Sequence, residues 1–227
     1  MHILLASATA GEIQPAIDVL EGTRSHRISR LTTGVGALPT AWALMRQIDS
    51  DPPDLIIQAG IAGSLKGEPS GKVFAVRAES FADLGVWEDG RFKTVFDLRL
   101  ANPDQSPFTG GRLVNPYPRL LDLTGLDAVD GITVNEISTA PERIHWLQQN
   151  TSAVLEGMEG GALHYIGLQE GIPFLQLRSV SNAIGVRDKS RWNIPLAVAG
   201  LNERLIRLVK ELDGQGSIVL HESNRTV

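Results

Sequence analysis

The chain contains no cysteine, which excludes disulfides, thiolate catalysis, iron–sulfur clusters and cysteine-ligated zinc. Its lysines and arginines never form a run and the net charge is −5, so it lacks the electrostatic footprint of a nucleic-acid or anionic-membrane binder. No apolar run approaches the roughly 20 residues of a membrane span. Aromatic residues make up only 5% of the 227 positions. The histidines, His2, His26, His145, His164 and His221, show neither the i, i+4 pair of a zinc helix nor an accompanying carboxylate pattern. They read as surface or core residues, and neither a metal site nor a cofactor is expected. Ala6-Ser7-Ala8 mimics a leader cleavage site, but there is no basic leader and the apolar run before it is too short. The class that remains is a cytoplasmic protein acting on small molecules, with neither nucleic acid nor membrane as partner.

What is present suits a globular fold: 42% of residues are hydrophobic and 21% charged, enough for one sizeable core. A single domain is expected over residues 1–213. The polar segment 214–227 reads as a frayed tail with weak strand propensity at Ile218–Leu220. Short apolar runs predict buried strands at Ile3–Ala6 and Asp54–Ala59, and further strands are expected at Arg27–Leu31, Val73–Ala78, Gly131–Val134, Ala153–Met158 and Ile172–Ser179. Helical periodicity predicts helices from Gly11 through Leu20, with Pro15 in a first turn, and over Pro39–Ile48, with Trp42, Met45 and Ile48 on one face. Further helices are expected over Ala140–Gln149, Glu159–Glu170 (stopped by Gly171) and Ile194–Leu212. Gly60–Ser64 reads as a small-residue turn, and Asp97–Pro118, rich in Pro and Gly, as a long loop that would serve as a lid.

Alternating strands and helices give an α/β fold, a mostly parallel central sheet flanked by helices, with ligands beyond the carboxyl ends of the strands. Glu12, Gly60–Ser64, Glu159 and Arg178–Asn182 lie just past those ends. The familiar nucleotide and acyl-transfer motifs are missing. Gly34-x-Gly36 has Pro39 where a dinucleotide fingerprint needs its third glycine, and neither a nucleophile elbow nor a Walker loop occurs.

Leu155-Glu156-Gly157-Met158-Glu159-Gly160-Gly161-Ala162, followed by Arg178-Ser179-Val180-Ser181-Asn182, resembles the strand-to-helix turn and the strand end of the purine nucleoside phosphorylase and nucleosidase superfamily. The likeness covers nearly the whole chain, since Glu12, Gly34–Gly36 and Gly60-Ile61-Ala62-Gly63 fall in the expected order. Phe81-Ala82-Asp83-Leu84-Gly85 and Ser181-Asn182-x-x-Gly185-x-Arg187-Asp188, with Trp192-Asn193-Ile194, resemble the futalosine hydrolases within it, nucleosidases of an alternative menaquinone pathway. The resemblance implies a three-layer sandwich, a purine nucleoside substrate and a homo-oligomer, dimer or higher. It implies that Glu159 holds the ribose 2′- and 3′-hydroxyls, that Glu12 orients or deprotonates the attacking water with help from Arg178, and that Ala62, Gly63, Gly157, Met158, Ser181 and Asn182 line the substrate.

A carboxylate bonded to the sugar hydroxyls stabilises an oxocarbenium-like ribosyl group more than the ground state, and a carboxylate near water is a competent base. Both acids also suit the first turn of a helix, and Arg178 suits a structural ion pair. Related adenine-specific nucleosidases carry Asp where this chain has Asn182. An amide offers a donor for O6 and an acceptor for N7–H, which points to hypoxanthine as leaving group and leaves Asp188 or solvent to supply the N7 proton; Asn182 would equally cap the turn before Gly185. Trp87, Phe81, Phe108 and Trp192 are candidates for stacking or for core packing. The first loop, Ser7–Glu12, carries a negative charge and no Arg, which favours water over phosphate as nucleophile. An adenine-type nucleosidase (methylthioadenosine/S-adenosylhomocysteine or aminofutalosine), a phosphorylase and a non-catalytic nucleoside-binding module remain the alternatives.

Overall fold

Two apolar strands set the centre of the molecule. β1 (His2–Ser7) is buried throughout, and β3 (Leu55–Ser64) is buried from Leu55 to Gly60. They run parallel, with β2 (Arg27–Thr32) on the outer edge of β1. The remaining strands of the sheet are β4 (Val73–Phe81), β7 (Leu113–Val114), β8 (Ala128–Thr133), β9 (Leu155–Gly157) and β10 (Phe174–Ala183). A separate hairpin is formed by β5 (Gly85–Glu88) and β6 (Arg91–Thr94). The helices are α1 (Ala10–Leu20), α2 (Ala37–Ser50), α3 (Pro118–Leu123), α4 (Pro141–Asn150), α5 (Gly160–Glu170) and α6 (Ile194–Leu212). The computed structural model describes residues 1–21, 25–186, 188, 190 and 192–213; the expected tail with its strand propensity, His221 and Arg187 lie outside them.

The α/β expectation holds, and most pairings are parallel, but the sheet is mixed. β10–β4, β3–β9 and β4–β7 are antiparallel. The path β3–β10–β4–β8–β9 returns to β3 through the pairs Gly63↔Glu156 and Ser64↔Leu155, closing a barrel-like ring. β3 therefore carries two partners on one edge. The ladder to β1 stops at Gln58 and the ladder to β9 begins at Gly63. Between them the backbone from Ala59 to Ala62 is free of strand partners on that side, and the chains leaving β1 and β9 diverge around it. That divergence is the crevice.

Gly60–Ser64 is thus strand rather than turn, because its outer edge is fully paired to β10. The principal core lies under α1, α2, α3, α5 and α6. Leu201, Leu205, Leu208 and Leu212 of α6 are buried in it, the face their spacing predicts. On α2 the buried face is Thr40, Leu44 and Ile48, whereas Trp42 is 69% exposed. Gly171 ends α5 with φ at +64°, a left-handed cap that a side chain would strain.

Pro15 lies inside α1, beyond its first turn. The Asn202 amide bonds the backbone on either side of it: Ala16 N donates to Asn202 Oδ1 (2.8 Å) and Asn202 Nδ2 donates to Glu12 O (2.8 Å). A side chain from α6 thereby satisfies both backbone groups beside the proline.

Candidate active site

Glu12 follows β1 by one turn of α1. Its Oε2 accepts from Thr9 N (2.9 Å) and Thr9 Oγ1 (3.1 Å), so the first-turn role is real. Its Oε1 accepts from Ile61 N at 3.1 Å, one of the backbone donors that the divergence of β1 and β9 leaves open. The same carboxylate lines the crevice. A Cβ on Gly60 would overlap Arg178 Nη1 and lie 3.0 Å from Glu12 Oε1; only glycine lets the acid and the guanidinium approach across this strand.

Glu159 caps the N-terminus of α5 directly after β9. The sequence suggests a first-turn position, whereas the structure places it one residue earlier. Its Oε1 accepts from Gly36 N at 3.2 Å and its Oε2 pairs with Arg178 Nη2 at 3.2 Å. Gly36 has φ at +102°, a conformation open to glycine that turns its N–H toward the acid. Arg178 is 2% exposed and also donates to Gln58 Oε1 at 3.0 Å. It sits behind Gly60 and Gly157 and is not part of the crevice lining. A buried guanidinium requires such partners, so Arg178 is placed to hold Glu159 in position.

Together these elements enclose a cavity of about 720 Å³. Glu12, Glu159, Ala62, Gly63, Gly157, Met158, Ser181 and Asn182 all line it, so every expected site residue except Arg178 reaches one space. A bulge between Val180 and Asn182 sets Asn182 opposite Gly63. Its Oδ1 accepts from Ser181 Oγ (2.7 Å) and its Nδ2 donates to Ala183 O (2.8 Å). Of the aromatic candidates, Trp192 lines the cavity. Trp87 packs edge-on against Trp146, Phe108 against Phe96 and Tyr165, and Phe81 beside Gly161. None of residues 97–118 lines the cavity, so the expected lid instead packs through Phe108 onto α5. Asp188 is exposed, accepts from Ser190 N and Oγ, and is not in the lining.

Sequence reasoning passed over two buried acids. Glu156 lines the cavity beside Gly157, a placement that depends on the pairing of β9 with β3. Glu79 lies behind α5, where Gln176 Nε2 donates to its Oε1 (2.8 Å) and Thr133 Oγ1 to its Oε2 (3.0 Å). Thr133 Oγ1 in turn accepts from Gly161 N at 2.7 Å. Burial pushes the Glu79 carboxyl up to about 7, against the pull of Gln176, Arg178 and Thr133. Burial likewise pushes His164 down to about 4.

These shifts have opposite linkage. From about 4.5 to 7 the folded protein holds the Glu79 proton that the unfolded chain has lost, so stability falls as pH rises, by up to about 1.4 kcal/mol per pH unit. From about 4 to 6.5 the unfolded chain binds the His164 proton that the folded protein excludes, so stability rises with pH. The slopes offset each other where the windows overlap. Glu79→Gln removes only the first, so its melting temperature should climb between pH 4.5 and 6.5 where the parent's is nearly flat. Parallel Tm–pH curves for the two proteins would show that Glu79 holds no displaced proton.

The fold and the crevice define a class, and comparison with known proteins agrees: the chain belongs to the phosphorylase superfamily, whose family model matches residues 6–212. Within that superfamily it falls among the futalosine hydrolases. It is 33% identical to the futalosine hydrolase of Thermus thermophilus, with 81% of this chain and 82% of that protein covered. It is 30% identical to the futalosine hydrolase of Streptomyces coelicolor over 94% and 97% of the two chains. Among solved structures, a futalosine hydrolase mutant of Helicobacter pylori superposes with a TM-score of 0.79 at 16% identity, covering 93% of this chain and all (100%) of that one. A Helicobacter pylori MTAN mutant with 5′-methylthioadenosine in its active site gives 0.79 at 17% identity, covering 93% and 99%. At such identities the structures establish the shared fold.

Proposed function

We propose that this chain is a nucleosidase that hydrolyses the N-ribosidic bond of futalosine, releasing hypoxanthine and dehypoxanthine futalosine on a menaquinone route. The observation that carries the reading is two buried carboxylates, Glu12 and Glu159, facing one cavity whose described lining contains no Lys or Arg. Glu159, held by Gly36 N–H and Arg178, accepts from the ribose 2′- and 3′-hydroxyls and stabilises the positive charge that grows at C1′ as the base departs. Glu12 accepts a proton from the water that adds to C1′. The purine leaves with its electron pair and takes up a proton at N7 from solvent, while Asn182 faces its O6 and N7.

Residues 1–213 act in this reading as one nucleosidase domain of a cytoplasmic homo-oligomer. Leu38 and Trp42, one turn apart on α2, are 80% and 69% exposed beside Val35 of the cavity lining, which supports a second copy covering that side.

The nucleophile decides between the hydrolase and phosphorylase readings. Purified protein incubated with futalosine in phosphate-free buffer should release hypoxanthine at the rate it shows with added phosphate, as followed by chromatography. A strict phosphate requirement with a ribose 1-phosphate product would establish phosphorolysis instead. Saturable binding without base release would establish a binding module.

A further inference from the structure

Glu156, Gly63 and Asn182 stand opposite one another across β9, β3 and β10, so their side chains leave the same face of the ring. Adjacent strands lie about 4.8 Å apart, and the central residue of this row is bare. A Cβ on Gly63 would come 2.9 Å from Ile184 Cγ2 and 3.8 Å from Asn182 Nδ2. The Ile184 methyl therefore lies over the bare glycine between the acid and the amide, and all four residues line the cavity.

Glu156 is 6% exposed. Its Oε1 accepts from Ser138 N at 3.1 Å, and its buried Oε2 has no hydrogen-bond partner among the described residues. A buried carboxylate oxygen without a donor is unfavourable, and a ligand N–H would satisfy it. Asn182 makes one bond from its amide nitrogen and one to its oxygen, which leaves it a further N–H and a further lone pair.

Resting on the nucleosidase reading above, we infer that Glu156 is a specificity-determining residue that accepts the N1–H of a 6-oxopurine while Asn182 donates to O6. The two side chains match the lactam edge, donor at N1 and acceptor at O6. A 6-aminopurine inverts both positions, setting its N1 lone pair against the Glu156 oxygen and its amino group against the Asn182 N–H. Unpaired polar groups of this kind discriminate strongly in a closed site.

Glu156→Gln tests the assignment. Ser138 N–H fixes the glutamine oxygen on its own side, so the new NH₂ faces the cavity and suits an N1 lone pair. The ratio of kcat/KM for futalosine to that for its 6-amino analogue should fall by about tenfold or more. Equal losses on both substrates would assign Glu156 a structural role, and an unchanged ratio would show that it does not read N1; either result overturns the inference. A parent protein that ignores futalosine and cleaves the 6-amino analogue would instead overturn the proposed function. Should the variant fail to fold, the unaltered protein supplies the second measurement. Hypoxanthine should inhibit at least about tenfold more tightly than its 1-deaza analogue, which carries C–H at position 1. Equal inhibition constants would overturn the assignment.

Discussion

Glu159→Gln lowers turnover by about three orders of magnitude or more, the loss expected when a preorganised charge facing a developing cation is neutralised. The substitution keeps the volume and removes the charge. It also disturbs the ground state of the protein, because both present partners, Gly36 N–H and the Arg178 guanidinium, are donors. Whichever way the new amide turns, its NH₂ meets one of them. Leaving Arg178 buried without its counter-ion costs roughly 3–5 kcal/mol, so the melting temperature should fall as well. The two effects separate when turnover is measured per folded molecule, at a temperature where circular dichroism shows the variant native. A native variant with parental turnover would mean that Glu159 serves only to neutralise Arg178.

Glu12→Gln should lower kcat by roughly two to four orders of magnitude with KM changed little, as expected for lost general-base catalysis. Thr9 N and Ile61 N both donate to this carboxylate, so the amide again faces one unsuitable partner, and a stability loss of about 1–3 kcal/mol accompanies the substitution. The cap at Thr9 and the catalytic role are distinguishable because Thr9→Ala weakens the cap and leaves the acid in place. Thr9→Ala should lose stability while keeping most of its turnover, whereas Glu12→Gln should lose both. Equal turnover in the two variants would reduce Glu12 to a helix cap.

The parts of the fold legible from sequence were those fixed by local pattern. β1 and the first half of β3 are continuous apolar runs buried on both sides, and α6 repeats its leucines at helical spacing. The hairpin β5–β6 carried a local signal that the reading passed over: Asp89-Gly90 between Trp87 and Phe92, with both turn residues at positive φ (+52° and +74°). Gly60–Ser64 was misread because small residues suit both a turn and a strand under close approach, and pairing to β10 selects the strand. Trp42 was misplaced because helical spacing shows which residues share a face without showing which face meets the sheet.

The candidate site divides in the same way. Glu12 and Glu159 each sit where a strand gives way to a helix, so position alone nominates them. Glu156 becomes notable only when the ring closes and sets it beside Gly63, a pairing across some ninety positions that no local pattern announces. The Arg178–Glu159 pair is likewise a product of tertiary assembly, which is why an acid that looks isolated among glycines proves to be held from two sides.

The amide of Asn202 that completes α1 at Glu12 comes from 190 residues further along the chain. A ribosome adding roughly 5–20 residues per second must therefore have added α6 before the first helix can take its final form. Until then the emerging amino-terminal segment lacks the acceptor and donor that Asn202 brings to the Ala16 amide and the Glu12 carbonyl. Closure over so long a loop also belongs to the slow end of folding, so α1 reaches its final form late.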